Sequence, residues 1–241
     1  MTTIYRYLFP FLLSALFACG NQESKHDEIH TPMNMRFLAL GDSYTIGEGV
    51  EENERWPNQL RDSLSQTDIR MDAPMIIART GWTTAELKAG IETANPEGPF
   101  DLVSLLIGVN NQYRGPDRGY TPEGYREEFA ELLQMAIGFA GGDPGRVLVV
   151  SIPDYGVTPF LAADQKERVG AEIDRYNAIN LQESGHAGVL YADITPISRL
   201  AAERPGLIAS DRLHPSGEMY ALWVEAIIPV LKAALEDNHN R

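Results

Sequence analysis

A serine hydroxyl and an imidazole, which serve together in nucleophilic catalysis, stand near opposite ends of this sequence. Ser43 follows the apolar run 35–40, and His214 follows Asp211 by three residues. A serine hydroxyl is an effective nucleophile near neutral pH only when a base takes its proton, and histidine is the side chain that commonly does so. Three residues apart in a helical turn, Asp211 and His214 would share one face. We therefore predict Ser43 as the nucleophile, His214 as the base and Asp211 as the carboxylate that orients the ring.

Five short apolar runs alternate with helix-like segments and must position these residues. The runs are 35–40, 74–78, 102–107, 147–150 and 189–192. The helical patterns begin at Trp56, cover 84–93, run from Pro122 to the glycines at 141–142, and cover 162–184 and 217–236. Apolar runs separated by helices predict buried parallel strands with helices on both faces of the sheet. Ser43 then lies at the carboxyl end of the first strand, where open α/β sheets bind ligands.

Two irregular stretches, 111–120 and 153–161, follow predicted strand ends and should overhang the same edge. Several aromatic residues lie near these strand ends: Tyr44, Trp82, Tyr113, Tyr155 and Phe160. They could line an acyl or sugar pocket, or they could anchor the loops. The sequence leaves both interpretations open.

Four motifs, taken in order, resemble those of the SGNH (GDSL-type) hydrolase family. They are Gly41-Asp42-Ser43, the lone Gly81, Gly108-Val109-Asn110 and Asp211-Arg212-Leu213-His214. The resemblance covers residues 35–236. It implies a three-layer α/β/α sandwich with a five-stranded parallel sheet of flavodoxin-like order, and serine-dependent ester hydrolysis without metal or cofactor.

The same resemblance implies an oxyanion hole made by the N–H groups of Ser43 and Gly81 and the side-chain amide of Asn110. A glycine at position 81 also lets the backbone approach a ligand closely, although an ordinary turn glycine is the alternative. The sequence departs from the family at Asn111, where an aspartate is usual. Asp42 is interpreted as a residue that structures the loop.

The net charge and the residues after the first strand argue against binding of nucleic acid, anionic lipid or phosphate. The formal net charge is −14, which disfavours binding to nucleic acid and to anionic lipid headgroups. The glycines after the first strand could suggest a phosphate-binding loop, but no Gly-x-x-x-x-Gly-Lys motif is present and four glutamates between residues 48 and 54 would repel a phosphate. An inactive surface binding protein remains an alternative that only an assay can test.

The N-terminal residues predict export. Residues 1–18 have the apolar pattern of a signal peptide, and the segment before Cys19 resembles a bacterial lipobox. We predict that Cys19 is lipidated, that 19–34 is a flexible tether and that 35–241 is the hydrolase domain. The protein would then lie in the cell envelope and touch the membrane through its anchor only, with plain secretion as the alternative. Cys19 is the only cysteine, so a disulfide within the domain is excluded.

The sequence therefore predicts a serine esterase that acts on a small-molecule or glycan ester. Removal of acetyl or other short acyl groups from a carbohydrate is the first hypothesis. A lysophospholipase or short-chain lipolytic esterase is the alternative. The sequence predicts no oligomeric state.

Overall fold

The computed structural model describes residues 34–66 and 69–239, and within them five strands form one parallel sheet. The strands are β1 (Phe37–Gly41), β2 (Met75–Ala78), β3 (Leu102–Leu106), β4 (Val147–Val150) and β5 (Leu190–Ala192). Their order across the sheet is β2-β1-β3-β4-β5, the flavodoxin-like order that was predicted. Gly41 is in register with Ala78 on one side and Leu106 on the other, so three strands end at the same edge.

The central strands are buried along their whole length. Every residue of β1, β3 and β4 is buried, as expected for apolar strands with helices on both faces. The prediction that β2 is equally buried was wrong. This strand lies at the edge of the sheet, where Met75 is 40% exposed and only Ile77 is buried.

Helices form the outer layers of the sandwich. Within the described residues they are α1 (Ser43–Ile46), α2 (Trp56–Leu64), α3 (Thr84–Ala94), α4 (Val109–Arg114), α5 (Pro122–Phe139), α6 (Lys166–Ala187), α7 (Thr195–Arg199) and α8 (Gly217–His239). The helix α2 packs against α8, whereas α5 packs against both α3 and α6. These two groups cover the sheet and give the three-layer α/β/α architecture.

The longer helices follow the sequence patterns closely. The hydroxyl of Thr121 accepts the Gly124 N–H at 3.1 Å, so α5 begins with the predicted cap followed by a proline at its first position. The helix α6 begins at Lys166, four residues after the predicted start, and extends to Ala187.

The stretch 111–120, predicted as irregular, contains most of α4 and a 3-10 turn at Pro116–Arg118. A helix of six residues is not stable by itself, and it depends on contacts with the rest of the fold. It begins after Gly108, whose φ is 124° and whose missing side chain leaves room for the hydroxyl of Tyr125. The stretch 153–161 carries only a 3-10 turn, Tyr155–Val157.

The predicted signal peptide, Cys19 and all of the tether except Asn34 lie outside the described residues. In the part of the chain that is described, none of the helices combines the length and apolar character needed to cross a bilayer.

Candidate active site

Ser43 lies where β1 ends and α1 begins, and it is 5% exposed. The carboxylate of Asp42 caps this short helix, since its Oδ1 accepts the Tyr44 N–H at 3.0 Å. Ser43 lines a cavity of about 160 Å³ at the carboxyl edge of the sheet, together with Gly81, Asn110 and His214. The fold therefore brings four of the predicted catalytic and oxyanion-hole residues to one cavity.

Asp211 reaches His214 through a tight turn. The Nδ1 atom of His214 lies 2.6 Å from Asp211 Oδ2, while Asp211 Oδ1 accepts the N–H groups of Leu213 and His214 at 2.9 and 3.0 Å. The segment is not the helical turn that was predicted, because Arg212 adopts a φ of 69°. This left-handed residue turns the chain so that one carboxylate contacts both the backbone and the ring.

The hydrogen bonds keep Asp211 charged. Burial acts to raise the pKa of Asp211, but the bonds from Leu213 and His214 outweigh it and hold this pKa below its usual value. An ionised carboxylate at Nδ1 fixes the tautomer of the His214 ring and leaves Nε2 for proton transfer. The imidazole is 7% exposed and lies edge-on to the Tyr44 ring, with 5.5 Å between the ring centroids.

No hydrogen bond joins Ser43 Oγ to His214 Nε2 among the residues that the structure describes. The two side chains line the same cavity. Hydrogen bonds between a nucleophile and its base often shorten only when substrate is bound.

Gly81 occupies the third position of a four-residue turn. The Trp82 N–H donates to the Arg79 carbonyl at 3.2 Å, and Gly81 has a φ of 86°. A type II turn requires this backbone conformation, which glycine adopts without strain. A Cβ at this position would meet no protein atom within 4 Å, so the turn geometry, and not crowding by neighbouring protein atoms, explains the glycine.

Asn110 and Asn111 have different partners. The Asn110 amide donates to the Trp82 carbonyl at 2.9 Å and keeps a second N–H available. Asn111 is buried, where its Oδ1 accepts the Thr84 N–H at 3.1 Å and its Nδ2 donates to the Thr84 hydroxyl at 2.6 Å. An amide at 111, in place of the aspartate usual in the family, thus anchors the start of α3.

Three aromatic side chains from the two predicted overhanging stretches form one wall of the cavity. The ring centroids of Tyr113, Tyr155 and Phe160 lie 6.3 to 6.4 Å apart. Tyr155 is buried, its hydroxyl donates to Gln112 Oε1 at 2.9 Å, and burial raises its pKa to about 12. Tyr113 and Phe160 are 56% and 46% exposed and lie at the mouth.

Trp82 is not part of this wall. Its indole lies against Gly90 of α3 and lines a separate groove beside β2. Of the two interpretations left open for this ring, the geometry therefore agrees with packing against the fold and not with lining the cavity of Ser43. In the described structure, Trp82 contacts the site through its carbonyl, which accepts the Asn110 amide.

The sequence did not predict that Thr80, Val109 and Leu213 also line the cavity, although each is adjacent to a predicted site residue. Thr80 donates its hydroxyl to Glu48. Below the nucleophile, Asp42 is fully buried, which raises its pKa to about 7. The described residues include no group of three or more His, Cys, Asp or Glu side chains suited to a metal ion.

Known protein families provide a sequence match to the segments that form this site. The model of the GDSL-like Lipase/Acylhydrolase family matches residues 39–222. The sequence comparison with curated proteins found no match.

Several solved structures share the fold. TesA is 19% identical over 83% of this chain and 99% of its own, with a TM-score of 0.62. An acetylxylan esterase from Geobacillus stearothermophilus is 17% identical over 82% of this chain and 94% of its own, with a TM-score of 0.63. The psychrotrophic esterase EstA from Pseudoalteromonas sp. is 18% identical over 84% of this chain and 100% of its own, with a TM-score of 0.59.

The likeness to these structures establishes the α/β/α fold. The family model covers most of the chain, including the segments that contain Ser43, Gly81, Asn110, Asp211 and His214. The chain therefore belongs to the GDSL-like lipase/acylhydrolase family and is a carboxylic ester hydrolase.

Proposed function

We propose that Ser43 is the nucleophile of this hydrolase, with His214 as its base and Asp211 as the carboxylate that orients His214. The 2.6 Å contact between His214 Nδ1 and Asp211 Oδ2 carries the proposal, because it leaves Nε2 as the proton acceptor of a buried imidazole that lines the same cavity as Ser43. This is the division of roles found in serine hydrolases on unrelated folds.

In the first half of the reaction, Ser43 Oγ bonds to the ester carbonyl carbon as its proton passes to His214 Nε2. The carbonyl π electrons move to the oxygen, which becomes an oxyanion. When the intermediate collapses, the bond to the alcohol oxygen breaks and the alcohol takes the proton from His214. Water then attacks the acyl-enzyme by the same route, with His214 taking and returning a proton.

We propose the N–H groups of Ser43 and Gly81 and the amide of Asn110 as the donors to the oxyanion. Among the described residues, neither N–H donates to another protein group, and Asn110 uses only one of its amide hydrogens. Donors fixed in advance stabilise the intermediate because they need no reorganisation as the charge develops.

For the substrate, we propose acetyl or other short acyl esters of a carbohydrate. A cavity of about 160 Å³ suits a small acyl group, and Tyr113 and Phe160 offer exposed rings at its mouth for a bulkier alcohol. A solved structure of similar fold is an acetylxylan esterase. The apolar wall of Tyr113, Tyr155 and Phe160 favours the alternative, a lysophospholipase or short-chain lipolytic esterase.

A series of p-nitrophenyl esters from acetate to decanoate separates these functions. Carbohydrate deacetylation predicts that kcat/KM is highest for acetate and falls steeply with each added pair of carbons, and that acetylated oligosaccharides release acetate. A kcat/KM that rises toward octanoate would favour the lipolytic alternative. The Ser43→Ala variant is the control for hydrolysis not due to the site, and no activity above that control on any ester would favour an inactive binding protein.

We also propose that Cys19 is diacylated and anchors the enzyme in the cell envelope. Two acyl chains give stable attachment, which a body with a net charge of −14 would not obtain from anionic headgroups. Wild-type protein should partition into detergent and carry acyl mass on its N-terminal peptide. A Cys19→Ser variant that fractionates like wild type would favour plain secretion.

A further inference from the structure

A single arginine holds the turn that contains Gly81. Arg114, the last residue of α4, donates from Nη2 to the Gly81 carbonyl at 2.7 Å. Its guanidinium also contacts both carboxylate oxygens of Glu86, at 2.9 and 3.2 Å, and the Tyr120 hydroxyl at 3.1 Å. The planar guanidinium can make these bonds together because its donors point in fixed directions. Arg114 does not line the cavity of Ser43 in the described structure.

Asn110, which lies one helical turn before Arg114 on α4, also binds the turn that contains Gly81. Asn110 donates to the Trp82 carbonyl at 2.9 Å, so one short helix holds two consecutive carbonyls, those of Gly81 and Trp82. Residues four apart on a helix lie on the same face, which explains why both reach the turn.

The turn is also attached on the side of the nucleophile. The Thr80 hydroxyl donates to Glu48, and the Glu48 N–H donates to the Ser43 carbonyl at 3.0 Å. The peptide between Thr80 and Gly81 therefore lies between the helix that begins at Ser43 and the helix that carries Asn110. That peptide supplies the Gly81 N–H, and its direction depends on the φ of 86° at Gly81.

Glu86 holds the guanidinium of Arg114 in place. Its carboxylate accepts the Thr83 N–H at 2.8 Å as part of the capping box of α3 and the Thr83 hydroxyl at 3.2 Å, and it also binds Arg114. The ion pair is partly exposed, so its Coulomb attraction is screened by solvent. Its contribution is geometric, because it leaves the Arg114 Nη2 atom directed at the Gly81 carbonyl.

We propose that Arg114 is a positioning residue for ester hydrolysis, which holds the Gly81 carbonyl so that the Gly81 N–H keeps its direction toward the oxyanion. This inference rests on the proposed function, since it requires Gly81 to be a donor. Arg114 touches no substrate. It acts on the transition state through the backbone of the turn.

The test compares Arg114→Ala with wild type on p-nitrophenyl acetate, after normalising by active-site titration. Removing an oxyanion donor typically lowers kcat about 10²–10³-fold. A misdirected donor loses only part of its stabilisation of the oxyanion, so kcat should fall about 10–100-fold. KM should stay within about twofold, and the rate of labelling by a phosphonate should fall by the same factor as kcat. Added guanidinium ion should restore part of kcat, and Arg114→Lys should retain more activity than Arg114→Ala.

Arg146→Ala is the matched control, because it removes an arginine paired with Asp101 and Asp143 before β4, at the opposite edge of the sheet. Its kcat should equal that of wild type. An unchanged kcat in Arg114→Ala would overturn the inference, and so would a raised KM at constant kcat, which would indicate a substrate contact. Full activity in Ser43→Ala would instead overturn the proposed function, so the two failures are distinguishable.

Discussion

Replacing Asp211 with asparagine tests what the carboxylate does for His214. In the structure, Asp211 Oδ1 accepts two backbone N–H groups and Oδ2 faces His214 Nδ1 at 2.6 Å. An asparagine at position 211 can accept hydrogen bonds either from the two backbone N–H groups or from His214 Nδ1, but not from both. If its oxygen keeps the backbone bonds, its NH₂ faces Nδ1 and favours the tautomer that places the proton on Nε2, where the base must be free.

The opposite orientation of the amide has its own penalty. Its oxygen would then accept from Nδ1, but its NH₂ would face the N–H groups of Leu213 and His214. Leaving a buried donor without an acceptor costs about 1–3 kcal/mol, and two donors are affected here, partly exposed to water. The same substitution in the serine-protease triad lowers kcat about 10⁴-fold. No second acceptor for Nδ1 is found among the described residues, so we expect a loss in kcat of about 10²–10⁴-fold.

The assay measures kcat and KM for Asp211→Asn, His214→Ala and the double variant, with thermal melts as a check on folding. His214→Ala should be the most impaired single variant, because it removes the base itself. The double variant should be no worse than His214→Ala, since Asp211 acts only through His214. Additive losses, or wild-type kcat in Asp211→Asn, would refute the reasoning.

Three further variants probe the surroundings of the cavity. Asn110→Ala should lower kcat about 10²–10³-fold with little change in KM or melting temperature, and a loss of stability at normal specific activity would indicate a structural role. Gly81→Ala should lower kcat with a smaller change in KM, because alanine at a φ of 86° is strained and the turn must shift to relieve the strain. Unchanged kinetics would show that the turn tolerates a side chain. Burial raises the pKa of Asp42 to about 7, so the contribution of this carboxyl to wild-type stability should fall as pH rises from about 4 to about 7 and then level off. Asp42→Asn keeps the acceptor for the Tyr44 N–H but has no carboxyl to ionise. Measured by urea unfolding, the free energy of unfolding of this variant should therefore increase by roughly 3 kcal/mol relative to that of wild type between pH 5 and pH 8. Parallel pH profiles for the two proteins would contradict the buried charge.

Much of the fold follows from local patterns in the sequence. The apolar runs predict all five strands, because parallel strands buried on both faces need continuous hydrophobic residues. The cap at Thr121 and the proline after it predict the start of α5. The exposure of β2 was not predicted, since the position of a strand in a sheet is set by topology and not by its own residues.

The site was harder to predict where long-range contacts determine the geometry. The helix α4 is short and polar, and bonds from Asn110 and Arg114 to the distant turn at Gly81 help to hold it. Spacing alone suggested a helical turn between Asp211 and His214, whereas the observed turn depends on side-chain bonds to the backbone and on the φ of Arg212.

Phosphonate labelling tests the central claim, that Ser43 attacks the substrate, most directly. A reactive p-nitrophenyl phosphonate should add one adduct per chain, release one equivalent of p-nitrophenol and abolish hydrolysis in proportion to labelling. Peptide mapping should locate the adduct on Ser43, and Ser43→Ala should be folded, unlabelled and inactive. Labelling and hydrolysis that persist in Ser43→Ala, or an adduct on another residue, would contradict the account.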